Sequence, residues 1–114
     1  MGKKLNYFKT HNVKLYNYLA TFKQWYMDNV HAQLRLKKKV LIQCGISQLR
    51  EQDCKVISQL VFLKNKNYIS ESSIKRLYGF WGKETKFVSR FILDSLSQFI
   101  GFENWEAFKS SEVN

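Results

Sequence analysis

The residues best suited to chemistry are Ser72, Ser73, Lys75 and Arg76, in the run Ser70-Glu71-Ser72-Ser73-Ile74-Lys75-Arg76-Leu77. If the run is helical, Ile74, Leu77 and Tyr78 turn inward and Ser72, Lys75 and Arg76 face outward. An arginine fork can grip the major-groove edge of guanine, and a serine hydroxyl donates to or accepts from several bases or a phosphate. The chemistry on offer is therefore hydrogen-bonded readout of base edges. Short helices also carry Lys and Arg on faces that merely meet water, and the residue types alone leave both readings open.

A second set of residues can do no more than attract anions. Lys37, Lys38, Lys39, Lys64, Lys66, Lys83, Lys86 and Arg90, with the Ser70 hydroxyl, are candidate phosphate contacts, because such contacts need only cations or donors within reach. Nineteen Lys and Arg against nine Asp and Glu give a formal charge of +10. That exceeds what solubility requires and implies an anionic partner: nucleic acid, an acidic protein or an anionic membrane surface. If about five cations touch phosphate, affinity falls a few hundredfold between about 50 and about 200 mM salt.

Catalysis finds little support. His11 and His31 have no carboxylate or cysteine at metal-ligand spacing, and Cys44 and Cys54 lack the paired spacing of a zinc or redox motif. Glu51 and Asp53 point to different faces of a helix, and Glu103 and Glu106 read as surface charges flanking Trp105. No phosphate-cradling loop or nucleophile elbow is present. The expectation is a protein that is not an enzyme, with no cofactor, metal or small-molecule substrate. No apolar stretch reaches the length of a secretory signal or membrane span, so a cytoplasmic protein with no membrane partner is expected. Gly2 lacks the serine or threonine that myristoylation wants at the sixth position, which holds Asn6.

These residues need a scaffold, and the sequence points to an all-α one. The chain has 114 residues, no proline and 45% apolar residues, enough for one core and too few for two. The expected fold is a compact bundle of about five to six short helices containing a helix-turn-helix-like unit. A single domain, 1–114, divides into a basic N-terminal helical segment, 1–44, and a module over 47–109. Leu15, Leu19, Phe22, Tyr26 and Val30 recur at helical spacing after a candidate cap at Asn12, which predicts a helix lying on the core. A further helix spans LRLKKK and stops at Gly45, and another runs to about Lys64. Ser70, Ser89 and Asn104 are candidate N-caps, and Gly101 with Phe102 is a candidate helix stop. Trp81 and Trp105 are assigned to the core; Trp25 is left open between core and surface.

The arrangement of a bracing helix, a connection and a capped basic helix is what a helix-turn-helix reader uses. The runs YISESSIKRLYGF and SRFILDSLSQFIGFENWEAF resemble a widespread group of small bacterial helical proteins. Its pattern is ISxx[ST][LI]KR[LF][FY]G, then LDxL[AS]x[FY][LI]G[FY]xxWxxF; the likeness covers Asp53 to Phe108, about half of the chain. More distantly, the same runs resemble lambda-repressor-like helix-turn-helix domains. That resemblance implies Ser70 as the cap, Ser72 to Arg76 on the recognition helix, and Leu93, Leu96 and Ile100 behind it. The connection before Ser70 is longer than that pattern has, and where the pattern puts a small residue and a turn glycine this chain has Lys64 and Tyr68 or their neighbours.

The expected function is double-stranded DNA binding, as a small transcriptional regulator or accessory factor. One alternative is a non-catalytic adaptor or dimerisation module, including a homodimer, in which Trp25, Tyr26, Trp81 and Trp105 anchor a partner. A third is RNA or single-stranded nucleic-acid binding, with Tyr7, Phe8 and Tyr68 as stacking platforms.

Overall fold

The computed structural model describes residues 2–82 and 88–111, with side chains from residue 13 onward. Among the described residues five helices follow in order: α1, Gly2–Cys44; α2, Asp53–Asn65; α3, Glu71–Leu77; α4, Arg90–Phe99; and α5, Trp105–Ser111. The described residues form no strand, so the fold is all-α as expected. One helix differs from the expected short ones. The two N-terminal stretches join into a single α1 of 43 residues. Nothing between Gly2 and Gly45 breaks a helix, since the chain has no proline and its next glycine is Gly45. Asn12 therefore sits inside α1 rather than capping it.

The chain divides into two units, residues 1–31 and 32–114, with the division inside α1. The second unit holds the core. Ala32, Leu36 and Val40 of α1 are buried with Cys54, Ile57 and Val61 of α2, Ile74 and Leu77 of α3, and Leu93, Leu96 and Phe99 of α4. Trp105 and Phe108 of α5 complete it, their rings stacked at 5.8 Å, with Phe102 edge-on to Phe108 at 5.4 Å. Each fully buried side chain of this kind contributes about 1.5–3 kcal/mol of apolar burial.

Local signals set the helix ends. The hydroxyls of Ser70 and Ser89 accept from the backbone N–H groups of Ser73 and Ile92, and the Asn104 side chain accepts from Ala107 N. Each satisfies an N–H that the first helical turn leaves without a partner. At the other end of α1, Gly45 takes φ +73°, and Gly45 N and Ile46 N donate back to Ile42 O and Leu41 O. Such a left-handed step costs glycine little and a residue with a Cβ roughly 1–2 kcal/mol.

The α2–α3 connection spans residues 66–70 and is pinned at three points. Lys66 adopts φ +62° and its N–H closes α2 on Phe62 O. The Ser58 hydroxyl donates to Ile69 O, and the Asn67 amide donates to Gln98 of α4 at 2.7 Å. Ile69 itself is buried. Lys66 thus occupies, five residues before Glu71, the left-handed position that a glycine would fill with less strain.

The first unit is described from Val13, and its side chains are mostly exposed. Leu15, Leu19 and Phe22, expected to lie on a core, are each more than half exposed, and Tyr26 and Val30 are only partly covered. Their period is helical, as the spacing predicts. The covering layer that such a stripe calls for is not supplied by the described residues.

Candidate nucleic-acid interface

The short helix α3 is held from behind and open in front. Ile74 and Leu77 are buried, and Ser72 and Arg76 are exposed on the opposite side, as the helical period requires. Ser73 is partly covered and belongs to the cap: its backbone N–H donates to Ser70 Oγ at 3.1 Å, and the Ser70 hydroxyl donates to Ser73 Oγ at 2.9 Å.

Lys75 is committed to neighbouring carboxylates. Its ammonium lies 3.4 Å from Glu71 and 3.6 Å from Glu51. Partial burial alone would lower its pKa. The hydrogen bond that the ammonium donates to Glu71 and the charges of Glu71 and Glu51 outweigh that and hold it above the ordinary lysine value. Lys75 therefore ties the start of α3 to the segment before α2, and two carboxylates compete with any phosphate for it. Glu51 lies 24 positions away, and nothing in the sequence signals the pairing.

Arg76 differs. Its guanidinium carbon stands 5.3 Å from the centre of the Trp81 ring, and among the described residues it has no hydrogen bond or ion pair. A cation–π contact of this kind holds the guanidinium beside the ring while leaving its N–H donors unused. Trp81 was assigned to the core by its spacing from Leu77, yet it is 53% exposed. The reason is that α3 ends at Leu77, and Gly79, at φ +82°, redirects the chain, with Phe80 N donating to Lys75 O. A four-residue spacing across that turn no longer means a shared face.

The proposed phosphate contacts divide sharply. Lys37 is 8% exposed, and its ammonium donates to Leu77 O at 3.0 Å, while the Tyr78 hydroxyl donates to Lys37 O at 2.9 Å. A cation so placed closes the last turn of α3 and is not presented to a phosphate. Burial pushes the Tyr78 hydroxyl far above its ordinary pKa, so it stays a protonated donor. The ammonium of Lys64 donates to Phe99 O at 2.6 Å, closing α4 in the same way. Arg90 pairs with Asp94 at 3.0 Å and Glu106 at 3.2 Å. Ser70 serves as the cap of α3, and the ammonium of Lys66 rests 5.5 Å from the Phe62 ring. Lys38 and Lys39 remain exposed, the latter 5.9 Å from the Phe108 ring. Lys83 and Lys86 lie outside the described residues.

Asp94 has a structural task that its sequence position hides. Its carboxylate accepts from Trp105 N at 2.9 Å and from Arg90, joining the start of α5 to α4. The backbone hydrogen bond, helped by Arg90 and opposed by partial burial, holds its pKa below the ordinary value. Burial pushes both cysteine thiols up, and Cys54 is fully buried. Among the described residues no cluster of His, Cys, Asp or Glu could hold a metal, and no helix is long and apolar enough to cross a membrane.

No protein-family model, curated protein or solved structure matches this chain.

Proposed function

We propose that the protein binds double-stranded DNA through α3, as a small regulator or accessory factor, with α2, the 66–70 turn and α3 acting as a helix-turn-helix-like unit. One observation carries the reading. Arg76 stands exposed on a short capped helix, oriented by Trp81, with its donors unused by any described residue. An arginine fork in that state is the commonest reader of guanine. Ser72 is its outward neighbour. Lys75, held by Glu51 and Glu71, supplies position rather than readout, and Lys38 and Lys39 supply phosphate attraction.

The test is anisotropy of labelled duplexes bound to the full chain. Arg76→Ala is expected to relax base preference, with a loss of about 1–3 kcal/mol on the preferred sequence, whereas Lys38→Ala weakens all duplexes alike. Affinity insensitive to salt, or identical behaviour of the two variants, overturns the proposal. A second reading, a non-catalytic interaction module, draws on Trp25, which is 55% exposed among other apolar side chains of α1.

A further inference from the structure

Residues 13–25 of α1 carry a broad exposed apolar surface: Leu15, Tyr16, Tyr18, Leu19, Phe22 and Trp25 are each more than half exposed. Leu15, Leu19, Phe22 and Tyr26 follow one another at spacings of four, three and four, the alternation that keeps a seam on one side of a helix paired with another. The positions flanking such a seam commonly carry charge. Here they hold Tyr16, Tyr18, Trp25 and Val30, with Lys23 the single charge. Phe22 lies 6.0 Å from Trp25 and 6.5 Å from Tyr26, ring centre to ring centre, so the aromatic side chains form one continuous patch.

The opposite arc of the same segment carries Asn17, Thr21, Gln24 and Asp28, tied to one another and to the backbone by the Gln24–Asp28 and Thr21–Asn17 hydrogen bonds. Most polar side chains therefore share one arc, with Asn29, seven residues after Phe22, falling on the apolar side. Each aromatic ring here brings about 150–250 Å² and is more than half exposed in four of the five cases, Tyr18 at 77%. With the leucines the patch amounts to on the order of 800 Å², above the roughly 300–600 Å² that the largest patch of a soluble monomer shows. It also matches the roughly 800 Å² per partner of a stable interface.

We propose that this face is covered by the same segment of a second copy of the chain, the two helices lying parallel and in register through Leu15, Leu19, Phe22 and Tyr26. Two observations choose this occupant. The first is charge. A chain of net charge +10 repels its copies, and residues 13–31 are where it can least do so: Lys14, Lys23 and Asp28 leave that segment at +1. An acidic partner would find little to pair with there. A membrane surface would favour Lys and Arg along the polar arc, which offers Lys14 beside an aspartate and three neutral side chains.

The second observation is the place of Lys23. In a parallel, in-register pair the flanking position of one helix meets the position five residues earlier on the other. Lys23 then faces the ring of Tyr18 of the second copy, a cation against an aromatic face rather than against another lysine. Trp25 meets Val30 of the second copy by the same rule. The proposal is independent of DNA binding, since none of its residues lies on α3.

Sedimentation equilibrium of the full chain at micromolar concentration tests it. The expected mass is at least twice the 13.6 kDa of one chain. The double variant Leu19→Glu with Phe22→Glu should weaken self-association by at least about 100-fold, because two buried anchors become like charges. A control, Asn17→Glu with Gln24→Glu on the polar arc, should leave the mass unchanged. Thermal unfolding of all three proteins keeps the test interpretable: the transition of the 32–111 core should persist in the double variant. Leu19→Cys should give a chain-to-chain disulfide on mild oxidation if the pair is parallel and in register. A wild-type mass of one chain overturns the proposal, as does a mass that the control lowers equally or that the double variant does not lower. Co-sedimentation of a monomeric wild type with anionic phosphatidylserine vesicles would assign the face to a membrane instead. Arg76→Ala should alter DNA binding without altering mass, which separates failure of one proposal from failure of the other.

Discussion

Leu36 and Val40, in the last third of α1, are fully buried, whereas Leu15 and Leu19, at the same four-residue spacing earlier in the same helix, stand more than half exposed. Residue type and period are alike in the two places. What differs is that α2 to α5 contribute Ile57, Leu77, Leu96 and Phe108 to a shared core with the first pair. Amphipathic periodicity states that a helix face must be covered, and it says nothing of where the cover comes from. In residues 32–111 the chain covers itself; in residues 13–25 the described residues leave the same demand unmet.

The comparison can be broken most directly at its two phenylalanines. Phe108→Ala should destabilise the protein by about 3–5 kcal/mol in denaturant unfolding, since the ring is fully enclosed and leaves a cavity. Phe22→Ala should shift that core transition by less than about 0.5 kcal/mol. Equal losses would mean that residues 13–31 belong to the folding unit after all.

A smaller effect separates two adjacent lysines. Lys37→Ala removes the donor to Leu77 O and leaves that carbonyl buried without its partner, an expected cost of about 1–3 kcal/mol. Lys38→Ala, on the exposed side, should fall within about 0.5 kcal/mol of the parent by the same measurement. Next comes Ser70→Ala, which deletes the cap of α3 at an expected cost of about 1 kcal/mol, and whose melting temperature should fall accordingly. In the opposite direction, Lys66→Gly relieves a left-handed residue and should raise stability by about 0.5–1 kcal/mol. A loss there would show that the contact with Phe62 outweighs the strain.

The smallest expected effect is one of pH. Folding holds the Asp94 carboxyl below its ordinary value of 3.8, so the folded state prefers the ionised form. Its contribution is complete above that value and disappears as pH falls through the lower value of the folded state. Acid unfolding of Asp94→Asn should therefore depend less on pH below about 4 than that of the parent.

How legible each part was depends on how local its cause is. The caps at Ser70, Ser89 and Asn104 and the stop at Gly45 rest on a few consecutive residues, and they were readable in the sequence. On α4, Leu93 and Leu96 are buried as the resemblance implies, and the third buried apolar member is Phe99, Ile100 being the partly buried cap. Trp81 was misplaced because the period was carried across a glycine turn. Lys66 was missed because a lysine gives no sign that its backbone is left-handed. The commitment of Lys75 to Glu51 and of Lys37 to Leu77 depends on pairs 24 and 40 positions apart, which no spacing rule reaches. At the candidate interface the sequence marked the outward side of α3, and the structure then distinguished its members: Ser72 and Arg76 face out, Ser73 caps, and Lys75 is tied.

The bond between Lys37 and Leu77 has a chemical consequence for the most basic run in the chain. An amine must shed its partners and reach solvent before it can be acetylated or labelled, so consecutive lysines here are not equivalent reagents. Lys38 should react as a surface amine, while Lys37 should remain unmodified until α3 loosens its hold on α1. Its reactivity is thus a clock for opening of the bundle, set inside a sequence run that looks uniform.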